Sequence, residues 1–429
     1  MSSTVQPAAT DIPGTPPPQS GFEGDVTESS VSGYVRAYFD RVRGGDLGAI
    51  PAIAGIVVLF LLFTALRPNT FPTPLNLTNL LVQAVPISLL AMGLIFVLLL
   101  GEIDLSAGVV SGVCAAVMAV LMAREGIAWY WAVLAALVAG AVIGLVTGLL
   151  VSVVRIPSFV VTLALFLAWQ GVTLKIIGQG GTVPIRDTVI VGFTGESMSA
   201  LWGWILAVVV ILAYAALQLN RWRVQQARHL ASQPLPVVIA RIAVIAVVTL
   251  GVTAMLNTNR ALNPNITLLG VPYAIPIVIA LLVILTFVLA RTSYGRHVYA
   301  VGGNSEASRR AGINVTRIRV LVFALSSTMA AVSGIAAASR LASVDPSSGG
   351  GNTLLYAVAA AVIGGTSLFG GRGRVRDAIL GGLVIAIIDN GLGLLQVAAY
   401  LNFIITGVVL LLAASVDALA RRRAAATGH

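Results

Sequence analysis

The chain has 429 residues, 58% of them hydrophobic and 10% charged, and a mean hydropathy of +0.96. A soluble domain must cover its core with polar side chains, and this composition holds too few, so lipid is the solvent for most of the chain. A net charge of +10 would suggest nucleic acid for a soluble protein; in a membrane protein it arises because cytoplasmic loops accumulate Arg and Lys, and no nucleic-acid partner is expected.

In chain order, residues 1–48, including "PGTPPPQS", are polar and Pro-rich, without helical periodicity, and are expected to form a disordered cytoplasmic tail. They do not read as a signal peptide, because the first apolar run begins only near Ile50. From there to about residue 420, apolar runs suited to spanning helices fall near 50–66, 79–100, 104–123, 129–151, 157–177, 201–219, 235–256, 271–290, 318–340, 353–369, 377–396 and 399–418. The expected fold is all-α: a polytopic membrane domain over 49–420 with about twelve spans, some broken. Cys114, the only cysteine, lies in an apolar run and reads as a packed core residue.

Placing the N-terminus in the cytoplasm puts 19 of the 26 basic residues inside, among them Arg155, Arg221, Arg223, Arg309, Arg310, Arg317, Arg319 and the tail arginines Arg421 to Arg423. Six fall outside, so both termini, including the basic tail 421–429, are expected in the cytoplasm. The largest cytoplasmic loop after the N-terminal tail is then 291–317.

"LLLGEIDLSAGVVSG", residues 98–112, places Glu102, Asp104 and Ser106 between two apolar runs. Acids at membrane depth are costly unless they face a cavity or a partner, which makes them translocation-pathway candidates. At the cytoplasmic surface the same acids would cost little, and both placements fit the sequence. The glycines around them would permit a broken helix. "RIPSFVVTLALFLAWQG", residues 155–171, opens a helix with Pro157 in its first turn and carries Phe159, Phe166, Trp169 and Gln170, which could stack on and hydrogen-bond a sugar, although aromatics in a span more often make lipid or core contacts.

Within the cytoplasmic loop, "GGNSEASRRAGINVTRIRV", residues 302–320, predicts a short ordered helix. Asn304 or Ser305 can cap its N-terminus, Glu306 complements its positive end, Arg309 and Arg310 suit its last turn and Gly312 a left-handed stop. A solvated tether would need neither cap nor stop. "AVIGGTSLFGGRGRVRD", residues 361–377, repeats the pattern of apolar run, glycines and basic break. "AIIDNGLGLLQ", residues 386–396, sets Asp389 and Asn390 inside a span, where each needs a partner, water or substrate.

The lone lysine, Lys175, stands in no phosphate-binding loop frame, so this polypeptide is not expected to hydrolyse ATP. Three histidines and no nucleophile motif leave little for metal or covalent chemistry; no catalytic residue, metal site or cofactor is assigned to the chain.

The segments "GEIDLSAG", "IPSFVVTLA", "TSYGRHVYAVGGNSEASRRAGINVTRIRVLVFALS", "VIGGTSLFGG" and "IIDNGLGLL" together resemble the permease subunit of bacterial sugar ABC importers of the ribose/xylose/galactose group, from about residue 50 to the C-terminus. The insertion "LNRWRVQQARHLASQPLP", the E-I-D-L-S and S-R-L-A segments and the arginine-ended tail are most similar to the xylose-type permease. The resemblance implies a multi-pass protein of the bacterial inner membrane that works as a homodimer. A separate ATPase subunit would carry ATP and Mg, and an extracytoplasmic sugar-binding protein would deliver the substrate. It further implies that residues 295–313 contain a coupling helix for the ATPase, with Gly302, Gly303, Asn304, Glu306, Ala307 and Gly312 on the family pattern. The translocation path would run at the dimer interface near Asp104, Phe159 and Asn390. An ion-driven secondary transporter, drawing on Glu102, Asp104 and Asp389 as a relay, is the alternative from another class.

Overall fold

The computed structural model describes residues 48–178, 181–228 and 232–398, apart from 262 and 264, with isolated positions nearer both ends. The expected tails 1–48 and 421–429 lie almost wholly outside the described residues, whereas about half of the last expected span 399–418 is described, and its described residues, 403–408 among them, are helical. The described helices are α1 (Ile50–Leu66), α2 (Pro74–Leu99), α3 (Ala107–Ala123), α4 (Trp129–Ser152), α5 (Ser158–Ile177), α6 (Thr188–Gly195), α7 (Ala200–Ala227), α8 (Leu235–Leu256), α9 (Ala274–Arg291), α10 (Ser293–Gly303), α11 (Ser305–Arg310), α12 (Val315–Leu341), α13 (Thr353–Gly364) and α14 (Val375–Leu394). A two-residue ribbon pairs β1 (Val183–Pro184) with β2 (Ser343–Val344), joining the segments that follow α5 and α12. Among the described residues, eight helices are long and apolar enough to cross a membrane, and α1, α3 and α13 are shorter apolar helices. This is the all-α polytopic fold expected from the sequence.

Several boundaries move for local reasons. α2 starts at Pro74 instead of residue 79, because Thr73 accepts the Asn76 N–H at 3.3 Å and Pro74 suits the first helical position. α7 continues to Ala227, so Arg221 and Arg223 ride on helix beyond its apolar part. Pro157 stands just before α5, as its N-cap. The expected span 353–369 is shorter: α13 stops at Gly364, where Gly365 turns left-handed at φ +120°. Its 12 residues reach about 18 Å, too little for a hydrocarbon layer of about 30 Å. The expected span 104–123 is helical only from Ala107.

The core is built on α2 and α12, which run antiparallel. Ser333 on α12 donates to the Pro86 carbonyl of α2 at 2.7 Å, and further along Gly93 meets Met329. α4 lies along α12 through "GAVIGLVTG". Side chains at Gly140, Gly144 and Gly148 would come within 2.6–2.7 Å of Ser327, Ala324 and Val320 backbone atoms. Residues at i, i+4 and i+8 share one helix face, so the two backbones approach as closely as their atoms allow. In lipid this close packing replaces the hydrophobic drive that water would supply. α7 and α8 are peripheral: α8 buries only Val238, Thr253 and Leu256, while large apolar residues such as Trp202 and Val247 face outward.

Candidate functional site

On the face that the basic loops assign to the cytoplasm, α9 leads through Thr292 into α10, then α11 and α12. One short helix was expected in this loop; there are two. Thr292 caps α10 by accepting the Gly295 N–H, and α10 buries Val298 and Val301 on its inner side. Asn304 caps α11 by accepting the Ala307 N–H at 2.8 Å, and Gly312 takes φ +84° beyond its end. Glu306 meets Arg309 at 3.4 Å and Arg310 at 3.3 Å. All three side chains are more than half exposed, so the pairs order the helix surface while adding little stability. Ser308 anchors the helix inward; Gly303, Asn304, Glu306, Ala307, Arg309, Arg310 and Gly312 all lie on its exposed side.

Gly302 and Gly303 differ sharply. The place of a side chain on Gly302 is already taken by the Leu99 carbonyl at the end of α2, and the Gly371 N–H lies beside it. A side chain on Gly303 would meet nothing within 4 Å. The Gly371 N–H also donates to the Leu99 carbonyl at 2.9 Å, and the Tyr299 hydroxyl on α10 donates to the Gly373 carbonyl at 2.7 Å. Burial raises the Tyr299 hydroxyl above its ordinary pKa. Three backbones therefore meet at one node: the end of α2, the end of α10 and the loop between α13 and α14. That loop is braced from within, because Asp377 accepts from the Thr366 hydroxyl at 3.1 Å and the Arg374 N–H at 2.7 Å.

Directly after this node the chain between α2 and α3 opens out. Glu102 pairs with Arg319 of α12 at 3.0 Å, near the start of that helix. Two residues on, Asp104 is 2% exposed, and one of its oxygens accepts both the Ser106 N–H at 2.9 Å and the Ser106 hydroxyl at 2.7 Å, capping the entry to α3. The other oxygen, Oδ2, is buried without a hydrogen-bond partner among the described residues. The Ser111 carbonyl fills the space beside Gly334, which lies about 22 Å along α12 from Arg319. The chain from Glu102 to Ser106 is thus non-helical, and α3 begins at Ala107 and runs on alongside α12.

A second break meets the first. After α12 and β2, "DPSSGGGN", residues 345–352, turns back into the core before α13. Its turn is set by Asp345, which accepts the Ser347 N–H and hydroxyl, both at 2.7 Å. Gly349, at φ +73°, packs against the Gly108 carbonyl and the Gly112 N–H, and Gly112 packs against Ser348. Gln170 of α5 reaches the same place, since a side chain on Gly350 would sit 3.8 Å from its amide nitrogen. The N-terminal ends of two partial helices, α3 and α13, therefore converge in the core beside Asp104, Ser106 and Gln170. Non-helical backbone is tolerated at such depth where it is buried in protein or lines a cavity.

The remaining candidates lie apart from this place. Phe159 is 53% exposed near the start of α5. Asp389 is exposed on α14, within the electrostatic reach of Arg340. Asn390 is buried and exchanges two hydrogen bonds with Asn76 of α2. Sequence reasoning missed the 345–352 segment, whose run of three glycines was its available signal, and it missed Tyr299, which carries no signal at all.

Residues 76–414 match the family described as branched-chain amino acid transport system / permease component. The chain is 34% identical over 386 residues to the xylose transport system permease protein of Escherichia coli (strain K12), covering 90% of this chain and 95% of that protein. The corresponding xylose permease protein of Haemophilus influenzae is 32% identical, over 88% of this chain and 98% of its own length. The ribose import permease protein of Escherichia coli (strain K12) is also 32% identical, over 91% and 99%. No solved structure matches. With the family matched along most of its length and the helices to cross a membrane many times, the chain is a multi-pass membrane protein and belongs to this family of transport-system permease components.

Proposed function

We propose that this chain is the membrane-spanning permease subunit of an ATP-binding-cassette importer that moves a monosaccharide, xylose or a similar sugar, into the cytoplasm. The observation that carries the reading is the short path of backbone contacts from exposed α11 to the break after α2 and to the loop between α13 and α14, through Gly302, Leu99 and Gly371. Relatives named for xylose and ribose transport supply the substrate class. The subunit works as a homodimer, with both termini cytoplasmic. ATP and Mg belong to a separate ATPase subunit, and an extracytoplasmic binding protein delivers the sugar.

In this reading the ATPase grips the exposed residues of α11, and its closure displaces α10 and α11 as a unit. The displacement passes by direct backbone contact to the end of α2 and, through Tyr299, to the loop before α14. The first break shifts, the 345–352 segment packed on Gly108 and Gly112 follows it, and the pathway opens to one side at a time. Asp104, Ser106 and Gln170 line that path, Glu102 sits at its cytoplasmic end, and Phe159 faces the second copy. Asn390, whose amide is committed to Asn76, acts in packing. An ion-driven relay is less well supported, because Glu102 is held by Arg319, Asp104 caps α3, and Asp389 lies on another surface.

Uptake of radiolabelled xylose and ribose into vesicles tests the reading. Uptake that requires ATP, the ATPase and the binding protein is the expected result. Uptake driven by an ion gradient in their absence would overturn it.

A further inference from the structure

Beside the coupling face, a cavity of about 440 Å³ opens between the turn joining α4 to α5 and the start of α12. Its charged lining residues are three arginines, Arg155, Arg309 and Arg319, set against the single acid Glu102. Outside it, Glu306 is shared between Arg309 and Arg310, so the positive excess remains. Arg319 gives one Nη to Glu102 at 3.0 Å while its Nε is buried with no hydrogen-bond partner among the described residues. Arg155 makes no ion pair among the described residues. Two long helices, α5 from Ser158 and α12 from Val315, begin at the cavity, and each such end carries a partial positive charge; the α5 end has no side-chain cap, whereas at the α12 end Asn314 accepts the Arg317 N–H at 2.9 Å.

Arg155 adds a backbone observation. It sits at φ +65°, a left-handed conformation that costs a side-chain-bearing residue and that glycine would adopt freely. The turn nevertheless places an arginine there, among the residues that line the cavity.

We propose that this cavity is a binding site for a phosphate group at the cytoplasmic edge of the membrane. Planar guanidinium forks and helix N-termini both recognise the tetrahedral array of phosphate oxygens. Three such forks and two helix ends exceed what one carboxylate of a neighbouring protein can satisfy. The phosphate has two sources of the same chemistry, an anionic phospholipid headgroup or a soluble phosphate ester. The exposed apolar residues of the same turn, Val153, Val154, Phe159 and Val160, offer acyl chains a surface directly beside the arginines.

The test uses the purified full chain in detergent, stripped of lipid, as wild type and as Arg155→Gln and Arg155→Gly. Glycine removes the guanidinium while suiting the left-handed backbone, so that variant keeps the fold. Native mass spectrometry measures retention of phosphatidylglycerol against phosphatidylcholine, and equilibrium dialysis measures binding of inorganic phosphate and ribose 5-phosphate. Saturable binding of phosphatidylglycerol, or of the soluble phosphates, weakened about tenfold or more in both variants, is the expected outcome and identifies the source. The proposal is overturned if wild type binds none of these probes, or if both variants, with unchanged thermal unfolding, bind as tightly as wild type.

Discussion

Asn76 and Asn390 lie 314 positions apart in sequence and exchange two amide hydrogen bonds, at 2.9 and 3.0 Å, within the packing of α2 against α14. Each amide answers the polar demand of the other in surroundings where water is scarce. Asn390→Leu alone leaves the Asn76 amide short of a partner and is expected to cost about 1–2 kcal/mol, while Asn76→Leu with Asn390→Leu costs less than the sum of the single changes. Thermal unfolding of the four proteins in detergent measures this coupling. Uptake lost in Asn390→Leu with no loss of stability would instead place Asn390 in contact with the sugar.

Gly302 and Gly303 separate packing from docking. Gly302→Ala forces a methyl group into the Leu99 carbonyl and is expected to lower stability by about 1–3 kcal/mol. Gly303→Trp meets open space, and Glu306→Arg alters an exposed pair. Both should leave membrane insertion and unfolding temperature unchanged while lowering ATPase co-purification and uptake. Normal uptake by both would remove α11 from the coupling role.

Tyr299→Phe deletes one hydrogen bond to the Gly373 carbonyl and keeps the ring. If α10 transmits motion through this bond, ATPase binding stays intact while uptake falls severalfold. A parallel loss of binding and uptake would mark Tyr299 as a support for the docking surface alone.

Asp104 has two tasks that substitution can divide. Asp104→Asn keeps an oxygen to accept from Ser106 and removes the charge, whereas Asp104→Ala also removes the cap, at about 1 kcal/mol. Loss of uptake in both, with stability lowered only in the alanine variant, assigns the carboxylate to the pathway. Normal uptake by the asparagine variant would reduce Asp104 to a cap.

The stripe Gly140, Gly144 and Gly148 allows α4 to lie on the α12 backbone. Gly144→Leu cannot be accommodated by a rotamer change, because the obstruction is main chain. It is expected to abolish accumulation of folded protein, read by size-exclusion chromatography, whereas Gly171→Ala, which meets nothing within 4 Å, should be tolerated.

By itself the sequence determined what depends on near neighbours along the chain. Apolar runs of spanning length, the basic bias of alternate loops, and the Asn304 cap with Glu306 and the Gly312 stop are local patterns, and they set the membrane fold and the small helix α11. Only the tertiary structure decided what depends on residues brought from elsewhere. Glu102 and Asp104 stand two positions apart with identical charge, yet Arg319 holds one at the edge while the other is buried at the mouth of α3. Gly302 and Gly303 are adjacent and chemically the same, and only the neighbours folded against Gly302, Leu99 and Gly371, distinguish them. The 345–352 segment reads as a simple glycine-rich loop until Gly108 and Gly112 receive it inside the core. Backbone contact and burial carry no mark in the composition of either partner, and they exist only once the helices pack.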